Sequence, residues 1–367
     1  MYGWRSAFIV IQLSWPAALA AQQGDRTPAT CVAPPAELRR AVLAVHDKQR
    51  NVGIAVALHR NGQPVFSLTE GAADLEHDAP VTAATRFGIA SLTKLYTAAA
   101  LLVLRQEGRV DLEAPVRRYV PAFPERPEGT ITLRMLATHR SGIPHPTRRT
   151  PELFATHYAT ATQALEVFAH DTLVAVPGAR RVYSSSNYNL LAAVIEAIVG
   201  ERFPRFVQRT LLDPLALSAT GFDNVQRPLP HRSERYSFYD PWTYGESDSL
   251  FVVPRWDYSF NLGGGGLSAT AADVAAFGAA LLHPGLLSAA SLELLYENAW
   301  FGRDDADGGR MIYTTGSNPG VQAGLVIHPG TGIVTVVLSN TWGIGSRSAE
   351  MVGLARILAS LCAGKDS

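Results

Sequence analysis

Lysine is scarce in this chain of 367 residues, which contains only Lys48, Lys94 and Lys365. Most of the 32 basic residues are therefore arginines, and they balance 32 acidic residues to give a formal net charge of zero. No basic run or block of like charge is present, so the sequence lacks the electrostatic footprint of a nucleic-acid-binding protein. This composition favours a small-molecule substrate without a strong charge.

Long apolar runs are also rare. Residues 1–21 place Arg5 before a short apolar core that ends in small residues, a pattern typical of a cleavable secretory signal peptide. An uncleaved anchor is the alternative, although the run is shorter than the roughly 20 residues that a membrane span needs. The polar residues 22–34 are predicted to form a linker. We therefore expect a secreted or periplasmic protein with no stable membrane span after signal cleavage.

The sequence has only two cysteines, Cys31 and Cys362, which lie near opposite ends of the chain. An exported protein meets an oxidising compartment, so the two residues are candidates for one disulfide. Two unrelated thiols are the alternative. The disulfide requires that the terminal helices share one face of the fold.

Several common site motifs are absent. No Gly-x-Ser-x-Gly occurs, which disfavours a Ser-His-Asp hydrolase, and no His-Glu-x-x-His occurs, which disfavours a zinc hydrolase. The glycine run at 263–266 lacks the Gly-Lys-Ser/Thr ending of a phosphate-binding loop. Thr270 and Asp273 instead predict the cap of a helix that begins at Ala271.

Residues 88–104 are nearly all apolar or small, which predicts a helix buried on most of its faces. Lys94 is its only charged residue, and burying an ammonium group is unfavourable unless the group is paired, neutralised or used. Ser91 lies one turn earlier on the same helical face. A desolvated lysine beside a serine hydroxyl suits nucleophilic catalysis. The alternative is a helix-capping serine and a lysine that reaches solvent.

Strand patterns occur at both ends of the chain. Residues 53–58 and 64–68 flank Asn61-Gly62, the strongest short hairpin signal, and two further strands are predicted at 324–328 and 333–339. Terminal helices are predicted near 35–50 and 348–363. Between the two strand pairs, helical patterns dominate. Helices are predicted at 131–144, with a break at Ser141-Gly142, and at 163–170, 187–199 and 203–212.

These patterns predict an α/β fold of the α+β type. An antiparallel sheet of N- and C-terminal strands is flanked by the terminal helices, and a mostly helical subdomain is inserted between the strand pairs. The predicted single domain covers residues 35–365, with a sheet subdomain at about 35–86 and 263–365 and a helical subdomain at about 87–262. An active site is expected where the two subdomains meet.

Two further stretches carry polar residues that suit a site. Tyr183 precedes a short polar run that opens an apolar helix, and residues 314–317, Thr-Thr-Gly-Ser, precede the C-terminal strands. Taken alone, the first is equally consistent with a surface tyrosine, and the second with an ordinary loop.

In this order and spacing, the motifs resemble the serine β-lactamase and penicillin-recognising hydrolase family, in particular the branch of class C β-lactamases, D-stereospecific peptidases and esterases. Ser91-Leu-Thr-Lys94 is similar to Ser-x-x-Lys, and Tyr183-Ser-Ser185 falls at the Tyr-x-Asn position. Thr314-Thr315-Gly316 occupies the place of Lys/His-x-Gly. The segments at 133–144 and 264–273 resemble two other recurrent segments, so the match spans most of the chain.

The resemblance implies a β-lactamase/transpeptidase-like fold and an acyl-enzyme mechanism. Ser91 is the implied nucleophile, and Lys94 and Tyr183 are the implied proton-transfer pair. The backbone N–H groups of Ser91 and Ser317 are the implied oxyanion hole. No metal and no organic cofactor is implied.

The sequence departs from the family pattern at two of the implied substrate-binding residues, which are Ser185, Thr314, Thr315 and Gly316. Ser185 replaces the asparagine, and Thr314 replaces the cation that holds a substrate carboxylate. We therefore predict an exported serine hydrolase of esters or amides without an essential carboxylate. The alternatives are a D-Ala-type peptidase or β-lactamase of the cell-wall type, and a catalytically silent binding module.

Overall fold

The computed structural model describes residues 30–146, 150–297, 301–304, 311–343 and 349–364. The predicted signal peptide, residues 22–29 of the predicted linker and Lys365 lie outside these ranges. Within the ranges, no helix combines the length and the apolar character that crossing a membrane requires.

Runs of consecutive strands and runs of consecutive helices follow one another along the described chain. The strands are β1 (Gly53–Arg60), β2 (Gln63–Asp74), β3 (Ala79–Pro80), β4 (Phe87–Gly88), β5 (Gly221–Phe222), β6 (Tyr236–Tyr239), β7 (Glu246–Val252), β8 (Leu267–Ala269), β9 (Gly302–Asp304), β10 (Met311–Asn318), β11 (Val321–His328), β12 (Ile333–Ser339) and β13 (Thr341–Trp342). The helices are α1 (Pro35–Lys48), α2 (Thr93–Gln106), α3 (Leu133–Ala137), α4 (Pro151–Ala155), α5 (Ser185–Val199), α6 (Phe203–Val207), α7 (Leu262–Gly265), α8 (Ala271–Ala280), α9 (Ala289–Glu297) and α10 (Ala349–Ala363).

The largest sheet joins the two ends of the chain. Its strand order is β3-β2-β1-β12-β11-β10-β9, and the pairs β2/β1, β1/β12, β12/β11 and β11/β10 are all antiparallel. The central contact runs from Ile54 opposite Ser339 to Arg60 opposite Ile333. The α/β fold class predicted from the strand pairs is thus confirmed, with strands from both ends in one antiparallel sheet.

Apolar residues cover both faces of this sheet. On one face, α1 and α10 pack through Leu38, Val42 and Leu358 against strand residues such as Val56 and Val337. On the other face, α8 contacts β1 and β12, and the long helices α2 and α5 lie in the same buried cluster. The sheet is therefore buried on both sides, which explains why β1 and β12 read as continuous apolar runs.

Cys31 and Cys362 are joined by a disulfide, and their Cα atoms are 4.1 Å apart. The backbone N–H groups of Val32 and Ala33 donate to the carbonyls of Cys362 and Leu361, each at 3.1 Å. The segment before α1 is therefore fixed to the end of α10 by backbone hydrogen bonds as well as by the covalent link.

Several predicted element bounds are wrong. The predicted helix at 131–144 is helical only over Leu133–Ala137, because His139 has a φ of 59° and Gly142 a φ of 79°. A side chain at position 142 would place its Cβ 1.9 Å from the carbonyl oxygen of Ala175. Strand β2 continues to Asp74, six residues beyond the strand predicted at 64–68. The hairpin of β6 and β7 lies in the middle of the chain, where only helices were predicted.

Candidate active site

Ser91 lies at a sharp change of chain direction between a strand and a helix. Strand β4 pairs with β8, and a single 3-10 turn, Ala90–Leu92, then leads into α2. Ala90, directly before Ser91, has a φ of 44°, a left-handed conformation that is uncommon for a residue with a side chain. Such strain is typical of functional sites, where the surrounding structure maintains it.

Strand β10 approaches this turn closely because residue 316 is glycine. A Cβ at Gly316 would lie 2.2 Å from the carbonyl oxygen of Ile89, two residues before Ser91. Gly316 is buried and does not line the cleft described below, whereas Thr314, Thr315 and Ser317 do. The role of Gly316 is therefore to let β10 pack against the turn that carries Ser91.

Lys94 is buried, with 2% of its surface exposed, and its ammonium group is fully hydrogen-bonded. The Nζ atom donates to Ser91 Oγ at 2.9 Å, to Ser185 Oγ at 3.0 Å and to the carbonyl of Gly264 at 2.6 Å. These three acceptors match its three N–H donors. Burial lowers the pKa of Lys94, although the charge of Tyr183 and a hydrogen bond with it act in the opposite direction.

Tyr183 completes a chain of polar contacts around Ser91. Its hydroxyl donates to Ser91 Oγ at 2.7 Å, and the Lys94 ammonium lies 5.1 Å from the centre of its ring. Burial alone would raise the pKa of Tyr183, but the charge of Lys94 and hydrogen bonds with Lys94, Ser91 and Ser185 outweigh it. The pKa of Tyr183 is lowered as a result, which makes its phenolate a more accessible base.

His139 holds the backbone on both sides of Tyr183. Its carbonyl accepts the N–H of Val182 at 2.7 Å, and its Nδ1 accepts the N–H of Ser184 at 3.2 Å. Its ring centre is 4.6 Å from that of Tyr183. Burial, and then the charges of Lys94, Arg181 and His145, lower the pKa of His139 to about 2. The imidazole is therefore neutral, and a ring whose Nδ1 accepts carries its proton on Nε2.

Ser185, at the position where the family has asparagine, is the first residue of α5. The helix is capped by Ser184, whose side chain accepts the N–H of Ser186 at 3.1 Å. The N–H of Ser185 donates to His145 Nδ1 at 3.2 Å, so a histidine lies beside the shorter side chain. Ser185 retains a polar contact to Lys94 while offering no amide.

The glycine run packs α7 against α2 and α5. A Cβ at Gly263 would lie 2.2 Å from the carbonyl oxygen of Tyr188. This close approach lets the carbonyl of Gly263 accept from Thr97 Oγ1 at 2.8 Å, one residue before Gly264 accepts from Lys94. The helix cap predicted downstream is confirmed, because the Thr270 side chain accepts the N–H of Asp273 at 3.2 Å.

Sequence reasoning assigned no role to Gly264 or to His139. The glycine run was compared with a phosphate-binding loop, whose ending it lacks, and His139 was placed in a predicted helix. The resemblance of 133–144 and 264–273 to recurrent family segments was the one signal that pointed to them.

Ser91 and Lys94 line a cleft of about 470 Å³, a volume within the range of small-molecule sites. His139 lines the same cleft. The predicted site residues that the cleft brings together are Ser91, Lys94, Tyr183, Ser185, Thr314, Thr315 and Ser317. Arg181 and His145 also line the cleft, as do several aromatic residues. In the part of the chain that the structure describes, no group of three or more His, Cys, Asp or Glu residues is arranged to hold a metal ion.

A sequence profile of the family named Beta-lactamase matches residues 38–359, most of the chain. The chain belongs to the β-lactamase family. This membership confirms the predicted resemblance of the chain to the serine β-lactamase family.

Relatives of this β-lactamase-family chain are distant. The human "Serine beta-lactamase-like protein LACTB, mitochondrial" is 26% identical over 321 residues, which cover 69% of this chain and 57% of the human protein. The chain thus spans little more than half the length of the curated mitochondrial relatives that it matches.

Solved structures share the fold of this β-lactamase-family chain. The octameric penicillin-binding protein homologue from Pyrococcus abyssi has a TM-score of 0.76 and 22% identity, and the match covers 90% of this chain and 78% of that one. The D-amino acid amidase from Ochrobactrum anthropi SV3 has a TM-score of 0.75 and 21% identity, with 89% and 97% covered. At these identities the likeness shows the fold alone.

Proposed function

We propose that the protein is a serine hydrolase that forms an acyl-enzyme through Ser91. The observation that carries this proposal is the position of Ser91 Oγ, 2.7 Å from the Tyr183 hydroxyl and 2.9 Å from Lys94 Nζ in an accessible cleft. A nucleophile within hydrogen-bond reach of a base, which is itself held by a third group, is the arrangement that activates a serine.

The proton moves along these contacts. Ser91 Oγ attacks the carbonyl carbon of the substrate as its proton passes to the Tyr183 phenolate, which the Lys94 ammonium stabilises. The negative charge on the carbonyl oxygen is held by the backbone N–H groups of Ser91 and Ser317, and removing such a donor typically costs about 3 kcal/mol of transition-state stabilisation. Tyr183 then protonates the departing alcohol or amine, and water releases the acyl group by the reverse sequence.

The substrate side of the proposal rests on Thr314. A hydroxyl at this position stabilises a bound carboxylate about half as much as a cation does. A neutral ester or amide has no carboxylate, so the absence of a cation does not weaken its binding. We therefore propose esters or amides that lack an essential carboxylate. A structural neighbour described as a D-amino acid amidase is consistent with amides of small molecules.

One observation favours a second candidate, a peptidase or β-lactamase of the cell-wall type. Arg181 is exposed, lines the cleft and forms no ion pair with any residue that the structure describes. A guanidinium in that place is suited to bind a carboxylate that Thr314 does not bind. A catalytically silent module is disfavoured, because the contacts among Ser91, Lys94 and Tyr183 are complete.

Export to a secreted or periplasmic location is part of the proposal. The pattern of residues 1–21 supports it, as does a Cys31–Cys362 disulfide, since such bonds persist in oxidising compartments. Mass spectrometry of the N-terminus of protein collected outside the cytoplasm tests it. A mature chain that starts after residue 20 is expected, and a chain retained in the cytoplasm with both thiols free contradicts export.

Intact-mass analysis distinguishes the two candidate functions. The protein is exposed to a panel of activated neutral esters and to one penicillin, with Ser91→Ala as the control. A mass increase of one acyl group from the esters, absent in Ser91→Ala, supports the proposed function. An adduct from the penicillin alone supports the second candidate, and no adduct from any compound contradicts both.

A further inference from the structure

Part of the cleft wall is built from aromatic side chains that the proton-transfer chemistry does not use. Phe154, Tyr258 and Phe260 line the cleft and are more than 90% buried. The ring centre of Phe154 is 5.8 Å from those of both Tyr258 and Phe260. From behind, Trp256 stacks on Phe154 with ring centres 4.3 Å apart. We refer to Phe154, Tyr258 and Phe260 as the aromatic wall.

The aromatic wall is fixed in place by hydrogen bonds between two segments that are far apart in sequence. The N–H of Asp257 donates to the carbonyl of Phe154 at 3.0 Å, and the N–H of Tyr158 donates to Ser259 Oγ at 2.8 Å. The Asp257 carboxylate binds His157 Nδ1 at 2.7 Å and accepts the N–H of Ser259 at 2.7 Å. Because these hydrogen bonds hold both segments, the rings are positioned before any substrate binds.

The aromatic wall and Ser91 line the same cleft. Asn261 follows Phe260 and lines this cleft too, and its Oδ1 would be 2.2 Å from a Cβ at Gly264, whose carbonyl binds Lys94. The same Cβ would be 3.1 Å from Ser185 Cβ. The segment that carries Phe260 therefore packs against the residues that hold Lys94, and a substrate bound at Ser91 shares its cleft with the wall.

We propose that the aromatic wall is a preformed specificity subsite that binds an aromatic group of the substrate. This inference rests on the proposed hydrolase function and names its substrate class, namely esters or amides with an aryl group next to the scissile bond. Ring pairs in offset-stacked or edge-to-face contact favour aryl groups beyond the gain from burial alone. A wall that is already ordered also loses little conformational freedom on binding.

Kinetic selectivity tests the subsite. Ethyl phenylacetate and benzyl acetate are each compared with ethyl acetate, so that the ring lies on the acyl side in one and on the alcohol side in the other. We expect kcat/KM to be about 10- to 100-fold higher for at least one aryl ester. In Phe154→Leu and Phe260→Leu, which keep an apolar side chain but lose the ring, we expect the ratio of kcat/KM for the aryl ester to kcat/KM for ethyl acetate to fall to about 3 or less.

Phe251→Ala is the matched control, because it removes a ring from β7, outside the cleft. It should leave the aryl preference intact. Wild-type ratios near 1 in both comparisons, or ratios unaffected by both wall substitutions, overturn the proposal.

A binding measurement separates this inference from the hydrolase proposal. In Ser91→Ala, the affinities of benzyl acetate and ethyl acetate are compared by titration of tryptophan fluorescence, since Trp256 stacks beneath the wall. Tighter binding of the aryl ester, lost in the double variant with Phe260→Leu, supports the subsite even if no ester is hydrolysed. Equal affinities overturn the subsite, even if ester hydrolysis supports the proposed function.

Discussion

The imidazole of His139 lies with its ring centre 4.6 Å from that of the Tyr183 phenol, and its Nδ1 accepts the N–H of the next residue, Ser184, at 3.2 Å. His139 is buried, and its carbonyl accepts the N–H of Val182. One side chain and its own backbone therefore hold the segment that aims the Tyr183 hydroxyl at Ser91. His139 is a positioning residue in this arrangement, since it does not contact Ser91.

His139→Ala should lower kcat by about 10- to 100-fold with little change in KM, because a small misplacement of Tyr183 slows proton transfer. His139→Asn should recover part of the loss, since asparagine tolerates a positive φ and its Oδ1 can accept an N–H. Steady-state kinetics of both variants, with melting temperatures, check this prediction. Equal losses in kcat for the two variants, or a loss confined to KM, would show that His139 supports only the fold.

Ser91 is expected to be the sole covalent nucleophile. A fluorophosphonate probe should label the wild type and leave Ser91→Ala unlabelled. Lys94→Ala and Tyr183→Phe should each slow acylation by about 100-fold or more, as expected for loss of general acid–base help. Rapid-mixing measurements of acylation provide the test, and labelling that survives in Ser91→Ala would remove the mechanism.

The rate of acylation should rise with pH, because the reactive form has lost one proton from the Lys94 and Tyr183 pair. The pKa of Tyr183 is lowered from 10.0 and that of Lys94 from 10.5, so the apparent pKa of the rising limb should lie below both values. This pKa belongs to the coupled pair rather than to either residue. A pH profile of kcat/KM measures it, and Tyr183→Phe should abolish the limb. A limb that persists in Tyr183→Phe with the same apparent pKa would identify another base.

Thr314 should make neutral short-chain esters better substrates, in kcat/KM, than penicillins or peptides that end in a D-amino acid. A cation–carboxylate hydrogen bond typically contributes about 1.5 to 3 kcal/mol. Thr314→Lys should therefore reduce the ratio of kcat/KM for the ester to kcat/KM for the penicillin by about 10- to 100-fold. Parallel kinetics on one ester and one penicillin check this. Efficient wild-type turnover of the penicillin with slow ester turnover would indicate that Arg181 takes the place of the missing cation. In that case, Arg181→Gln would abolish the turnover of the penicillin.

The Cys31–Cys362 disulfide should contribute substantially to stability in exported protein. It spans 331 residues of sequence, and closing so long a loop is worth about 5 kcal/mol in the chain-entropy model. Cys31→Ser with Cys362→Ser should lower the denaturant midpoint without changing ester turnover, because the disulfide lies outside the cleft. Non-reducing peptide mapping of the wild type is the control, and two free thiols there would refute the prediction.

The proposed catalytic pair of serine and lysine could be predicted from the sequence because the two residues are neighbours on one predicted helix. Ser91 and Lys94 are three residues apart, and a lone lysine in an apolar run needs a reason to be there. Tyr183 and Thr314 depended on family resemblance, since nothing in their own neighbourhoods shows that they meet Ser91. The fold class followed from strand pairs with unambiguous apolar runs.

The contacts that were missed are tertiary. The carbonyl of Gly264 reaches Lys94 across 170 residues of sequence, and a backbone oxygen has no signature in the residue type. The helix predicted around His139 is wrong because His139 has a positive φ. In this conformation His139 accepts hydrogen bonds from the N–H groups of Val182 and Ser184, and these tertiary contacts outweigh the local helix propensity. Phe154, Tyr258 and Phe260 come together because the segment at 154–158 is hydrogen-bonded to the segment at 257–259, about 100 residues later in the sequence.

The pairing of β1 with β12 also determines when this protein can fold. Strand β1 pairs on one edge with β2, which follows it directly in the chain, and on the other edge with β12, which begins at Ile333. Its second edge therefore stays unpaired until residues 333–339 are available. Such long-range pairings slow folding, and an unpaired apolar strand edge promotes association with other chains in the meantime. The N-terminal hairpin therefore keeps an edge that other chains can pair with until β12 takes its place beside β1.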